Sequence, residues 1–252
     1  METNVRHWLW ATGVAAIVAS ESAFAAELGG PPAAPAFNWT GFYAGATVGG
    51  GRTHDKTQVS NGFTGCPKTI WSINLDGSGV VGGLFASYNW QSGGPFVVGV
   101  EGDVEAASLS SATDSLFNLQ SATEVNGQAR TRETLPWQGS LRARLGYTVG
   151  KALFYGTGGV AFARIDTRYS WLNGNPGVDS FSRTDAGWTL GAGAEYALSA
   201  NWTARAEYRY TSFGGFTDPL LHSPLSANPA NPARHELNEN AIRFGVAYKF
   251  GP

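Results

Sequence analysis

From Ile242 to Phe250 the chain alternates without a break. Ile242, Phe244, Val246, Tyr248 and Phe250 fall on one side, and Arg243, Gly245, Ala247 and Lys249 on the other. A period of two is the signature of a β-strand. One face is continuously apolar and ends in aromatic rings; the other mixes small and charged residues. That pattern suits a strand with lipid against one face and a narrow polar interior against the other.

The same alternation recurs along the chain. Trp202, Ala204, Ala206, Tyr208 and Tyr210 oppose Thr203, Arg205, Glu207 and Arg209. Leu141, Ala143, Leu145 and Tyr147 alternate with Ser140, Arg142, Arg144 and Gly146. Val98, Val100 and Val104 oppose Glu101, Asp103 and Glu105, and Trp188, Leu190, Ala192, Ala194 and Tyr196 oppose Thr189, Gly191, Gly193 and Glu195. Eight strands are expected, near 40–51, 79–91, 95–108, 136–149, 152–168, 184–198, 201–213 and 239–250. In 152–168 the glycines at 156, 158 and 159 leave the phase open. Each strand is long enough to cross the hydrocarbon at a tilt. No segment of the mature chain has the roughly 18 apolar residues of a helical span.

Short connections at 91–95, 148–151 and 198–201 alternate with long ones near 52–78, 109–135, 169–183 and 214–238. An up-and-down meander sorts its connections this way, with short turns at the periplasmic end and long loops outside. The fold class is therefore all-β: an eight-stranded antiparallel up-and-down transmembrane β-barrel. An even strand number puts both mature termini in the periplasm. Aromatics at strand ends predict two interfacial girdles. Phe42, Tyr43, Tyr88, Trp90, Phe96, Tyr147, Phe154, Tyr155, Tyr196, Trp202, Tyr248 and Phe250 form the periplasmic one. Trp71, Trp137, Tyr169, Trp171, Trp188, Tyr210 and Phe213 form the outer one.

The N-terminus carries Arg6, an apolar run and Ala23-Phe24-Ala25, which reads as a secretory signal peptide over 1–25 cut after Ala25. A Pro/Gly/Ala-rich periplasmic tether follows over 26–37, and the barrel domain occupies 38–252. The single cysteine, Cys66, cannot form an internal disulfide and reads as an incidental loop residue. A net charge of −2 gives no reason to expect a nucleic-acid partner.

The inward positions collect Glu101, Asp103, Glu105, Glu195 and Glu207 against Arg142, Arg144, Arg205, Arg209, Arg243 and Lys249. An eight-stranded barrel is only wide enough for side chains to fill it, so these charges are expected to pair and plug the lumen. A charged path through a narrow pore is the competing reading. His54, His222 and His235 fall in expected loops without metal-ligand spacing, so no metal or cofactor is called for. No catalytic motif is present, and the chain is not expected to be an enzyme.

Asn38-Trp-Thr-Gly-Phe-Tyr-Ala-Gly-Ala-Thr-Val-Gly-Gly-Gly51 resembles the opening strand of the small porin-like surface antigens of Gram-negative bacteria. These share the outer-membrane-protein β-barrel domain, similar to the membrane domain of OmpA. Tyr155–Ala161, Trp188–Tyr196 and Ala206–Tyr210 resemble later strands of that family. The resemblance spans nearly all of 38–250. It implies a structural outer-membrane protein and surface antigen that supports envelope integrity, with passage of small solutes as a further role. Its surroundings would be outer-membrane lipids and lipopolysaccharide. The barrel assembly machinery would read Tyr248 and Phe250 as its signal, although Gly251 and Pro252 follow here. The long loops would offer an extracellular ligand its contacts. A true small porin, a barrel-embedded lipid-modifying enzyme and a soluble lipocalin-like carrier are the alternatives. The carrier would need a barrel apolar inside and polar outside.

Overall fold

The computed structural model describes residues 37–60, 70–119, 125–172, 177–219 and 232–251. Their secondary structure is eight strands: β1 (Gly41–Ser60), β2 (Ile70–Trp90), β3 (Phe96–Leu119), β4 (Val125–Val149), β5 (Ala152–Trp171), β6 (Gly177–Ala197), β7 (Trp202–Pro219) and β8 (Pro232–Phe250). Each pairs antiparallel with its sequence neighbour, and β1 pairs with β8 from Phe42↔Phe250 to Val59↔Ala233, closing the barrel. Closure leaves no unpaired strand edge in lipid, where an unsatisfied backbone group is too costly. No helix among the described residues is long and apolar enough to cross a membrane. At the tight turns, Gly93 and Gly150 adopt φ of 69° and 59°, a left-handed conformation that costs glycine little. Where β2 meets β3, a Cβ added at Gly83 would lie 2.0 Å from the Val104 carbonyl oxygen. That lumen-facing position cannot hold a side chain without parting the strands.

The strand count and order match the sequence reading, but the strands are far longer. The ranges 52–78, 109–135, 169–183 and 214–238, expected as loops, are mostly strand. The remaining connections, and the signal-peptide and tether segments up to residue 36, lie outside the described residues. Cys66 and His222 do too.

The cause is a reversal in the wall. Through one half of each strand, outward positions are apolar: Val48, Leu84, Val100, Leu141, Val160, Leu190 and Phe244 are all exposed. Beyond Gly50, Val80, Ala106, Phe162 and Ile242 the outward residues turn polar: Arg52 and Lys56, Asn74 and Asp76, Arg130 and Arg132, Arg164 and Arg168, Arg234 and Glu236. Inward positions change as well: the dense rows of Arg and Glu give way to apolar residues, with Leu75, Leu109, Leu135, Ile165 and Leu237 buried, interspersed with Asp55, Glu133, Asp218 and His235. The first half is dressed for lipid and the second for water. Backbone pairing continues through both, so the alternation survives while its meaning inverts.

Closure does not continue so far. The β2–β3 ladder ends at Ser78↔Ser110 and the β6–β7 ladder at Trp188↔Ser212. By contrast β3–β4 runs on to Leu119↔Val125 and β1–β2 to Ser60↔Ile70. Above the lipid band the wall therefore parts into two four-stranded sheets, β3-β4-β5-β6 and β7-β8-β1-β2. Register shifts at Ala106/Leu109, Thr134/Gln138 and Ser212/Gly215 mark the change of level. Bulges bend strands and leave a residue unpaired. Pro136, which has no N–H to give a ladder, lies inside one of them.

The girdles need correction. Phe42, Tyr88, Trp90, Phe96, Tyr147, Phe154, Tyr196, Trp202, Tyr248 and Phe250 face outward, but Tyr43 and Tyr155 are buried in the lumen. At the outer level Trp137 and Trp188 are exposed, whereas Tyr169 and Phe213 point inward. Tyr43, Tyr155, Tyr169 and Phe213 all fall on the inward phase of their strands, which overrides an aromatic's preference for the interface.

Candidate functional site

The interior is filled in layers. The floor, at the end that carries the short turns, is apolar: Trp39, Tyr43, Phe85, Val97, Leu153 and Ala247 pack together, with Phe37 against them. Phe37 meets Trp39 edge-on at 4.8 Å. Lys249 belongs to this floor. Its Nζ donates to the Asn38 carbonyl at 2.7 Å and lies 5.1 Å from the Phe37 ring.

Above the floor sits a network of ion pairs. Arg142 projects from β4 into its centre. It donates to Glu101, to Asp103 at 3.1 Å, to Glu207 at 2.9 Å and to the Thr157 hydroxyl at 3.1 Å. Arg205 reaches Glu101 at 2.5 Å, and Arg144 pairs with Glu195. Arg209 bridges Asp103 at 3.2 Å and Glu207 at 2.9 Å. Arg243 grips Glu105 through Nε at 2.8 Å and Nη2 at 2.9 Å. Arg144 and Arg205 also lie over the Tyr155 and Phe85 rings, at 3.8 and 3.5 Å. Ten of the eleven charged residues read from the sequence thus come together; Lys249 stands apart. Glu239, Gln138 and Tyr155 join the network without having been read into it. Gln138 donates to Glu105 at 3.0 Å and Glu239 at 3.2 Å. Tyr155 donates to Glu207 at 3.2 Å. Glu239 shares the phase of Arg243, so extending the β8 alternation by four residues would have found it.

Pairs this buried roughly break even against desolvation, but an unpaired member is expensive. The arrangement pairs the inward charges mainly with one another, while Arg142 Nε, Arg144 Nε, Arg205 Nε, Arg243 Nη1 and Glu239 Oε2 are buried without a hydrogen-bond partner.

A second apolar layer caps the network: Val81, Leu109, Leu135, Ala161, Ala163, Ile165, Phe213, Phe216 and Leu237. Beyond it, between the two sheets, lies another polar cluster. His235 and Asp55 are fully buried. His235 Nδ1 is 2.6 Å from Asp55 Oδ2 and 3.0 Å from Thr57 Oγ1, and its Nε2 is 2.6 Å from the Tyr169 hydroxyl. The Glu236 backbone N–H donates to Asp55 Oδ1 at 2.9 Å. Phe216 stacks on the imidazole at 4.6 Å. Asp218 lies 3.6 Å from Nε2 and 3.2 Å from Arg183. Burial pushes the Glu133 carboxyl well above the usual carboxylate range, and the nearby Asp55 and Asp218 add to it. Burial likewise raises Asp218 and Tyr169.

His54 and His235 were expected in loops; both lie on strands, β1 and β8. Sequence spacing misses the cluster because its members come from five strands. Bulges also shift the phase: inward positions on β4 pass from 138, 140 and 142 to 135 and 133. On β7 they pass from 211 and 213 to 216 and 218.

A closed eight-stranded barrel with an apolar outer belt and an ion-paired interior is an integral β-barrel of the outer membrane. The chain belongs to the outer-membrane-protein β-barrel family, whose model matches residues 14–250. Its curated relatives include the 31 kDa outer-membrane immunogenic protein of Brucella melitensis. That protein is 34% identical over 239 residues, covering 89% of this chain and 90% of the relative. The 25 kDa outer-membrane immunogenic protein of Brucella abortus is 32% identical over 217 residues, covering 86% and 82%. Among solved structures, the outer membrane protease OmpT of Escherichia coli aligns with a TM-score of 0.51 at 10% identity, covering 86% of this chain and 99% of that one. That likeness shows a shared barrel fold alone.

Proposed function

We propose that the protein is a non-conducting structural barrel that contributes to envelope integrity and displays its two-sheet extension at the cell surface. The layered interior carries this reading: among the described residues an apolar floor, an ion-pair network and a second apolar layer lie across the axis. The porin alternative needs a continuous hydrated route, and the layer around Leu109 and Leu135 lies across it. No catalytic activity is assigned. The relatives carry the names of immunogenic proteins, which fits a displayed surface.

In this reading both mature termini lie in the periplasm. Protease added to intact cells is expected to cut within 61–69, 120–124 or 220–231 and to spare 91–95, 148–151 and 198–201. Cleavage of only the second set in intact cells would reverse the orientation. Planar-bilayer recording tests the sealed lumen.

Tyr248 and Phe250 are proposed to carry the assembly signal. Phe250 is outward-facing and pairs with Phe42 across the closing seam, rings 5.5 Å apart. Phe250→Ala is expected to cut the amount of folded, heat-modifiable protein in isolated outer membranes several-fold, while removing Gly251 and Pro252 leaves it equal or higher. An unchanged yield for Phe250→Ala would place the signal elsewhere.

A further inference from the structure

We propose that Asp55, Glu133 and His235 form a binding site for a divalent transition-metal ion, clamping the two sheets of the outer extension together. One donor atom from each residue lies within 4.8 Å of the others, and all three side chains are buried. Asp55 and His235 come from β1 and β8 in one sheet, and Glu133 from β4 in the other. A shared ion would bridge the interval where the strands no longer pair around the wall.

Glu133 supplies the second and independent pointer. It is 1% exposed and no donor reaches either oxygen of its ionised carboxylate; the side chain it meets is another carboxyl, Asp55, which only a shared proton or a cation can reconcile with it. A buried carboxylate is ordinarily paired, bonded or bound to a metal. Here a carboxylate without a donor of its own faces a histidine–aspartate pair. The support around the imidazole is what a ligating histidine uses. Nδ1 faces the carboxylates, while Nε2 is held by the Tyr169 hydroxyl at 2.6 Å, with Asp218 3.5 Å beyond that oxygen. Such outer partners fix the ring and tautomer of a metal-bound histidine. One imidazole nitrogen with two carboxylates suits zinc and its neighbours; calcium and magnesium prefer all-oxygen sets. An ion bound at Nδ1 would take the ring as its Nε2–H tautomer, donating that proton to the Tyr169 oxygen, and water would complete the coordination.

The test is calorimetric titration of the folded, detergent-solubilised protein with zinc ion after prolonged incubation, paired with its thermal unfolding midpoint. One saturable site is expected, with the midpoint rising on loading. Glu133→Gln and His235→Gln should each weaken binding at least tenfold and abolish the midpoint shift. His54→Gln should leave both unchanged, since the exposed His54–Asp76 pair is the obvious competitor. X-ray absorption of the zinc-loaded natural protein keeps the test decisive if the variants fail to fold. It should show one imidazole nitrogen with oxygens at about 2.0–2.2 Å. No saturable zinc binding, unchanged affinity in Glu133→Gln, or a fully hydrated or multi-histidine ion would each overturn the proposal.

Discussion

Arg142→Met is expected to destabilise the barrel by about 3–5 kcal/mol, the cost of leaving buried charges without their partner. The guanidinium sits among Glu101, Asp103 and Glu207, and its side chain is fully buried. Methionine has similar bulk and leaves three carboxylates facing one another with less positive charge among them. Urea unfolding in micelles, followed by heat-modifiable mobility and tryptophan fluorescence, measures the loss. Adding Glu207→Gln to Arg142→Met should restore part of it, because the two residues share a contact and their effects should not add. A water-filled channel would screen the same charges, and the substitution would then cost less than about 1 kcal/mol. The size of the effect thus separates a plug from a pore.

Val246→Lys is expected to cost about 2–4 kcal/mol, the penalty for a cation near the bilayer midplane on the lipid face of a barrel. Val246 is exposed on β8, flanked outward by Phe244 and Tyr248. A lysine placed ten residues earlier, Glu236→Lys, also faces outward but lies beyond the apolar belt. It should be within about 0.5 kcal/mol of the natural protein. The pair tests the reversal of the wall directly, since both side chains share one strand and one phase. Equal costs, measured as folding free energies in lipid vesicles, would mean that the belt does not end near Ile242.

These expectations rest on features the sequence displays unequally. The membrane half was legible because two demands coincide on each strand there. Lipid selects Val246 and Leu141 outward, and the lumen selects Arg243 and Arg142 inward. Strand number, antiparallel order and most of the ion network follow from that contrast. The outer half was illegible as strand because its outward residues, such as Arg52, Lys56, Asn74 and Asp76, resemble those of any polar loop. Only the inward residues preserve a signal: Leu75, Leu237 and Ile165 continue the phase of their strands across the boundary. Where a bulge intervenes, even that signal slips by one. Glu133 reads as outward when β4 is extrapolated from Arg142, and Asp218 reads as outward when β7 is extrapolated from Arg209. The outer cluster is assembled by register across β1, β4, β5, β7 and β8, which no single-strand pattern contains. Lys249 shows the converse. Its phase is correct and its face is the lumen, but its height puts it on the floor beside Phe37, out of reach of the carboxylates.

Single-channel recording in planar lipid bilayers tests the sealed interior most directly. The folded natural protein, inserted from detergent into membranes bathed in concentrated potassium chloride, should add no discrete conductance steps if the two apolar layers and the ion network across the axis seal it, as proposed. Long-lived, uniform steps reproducible across preparations and absent from detergent controls would show an open aqueous path and contradict the sealed barrel.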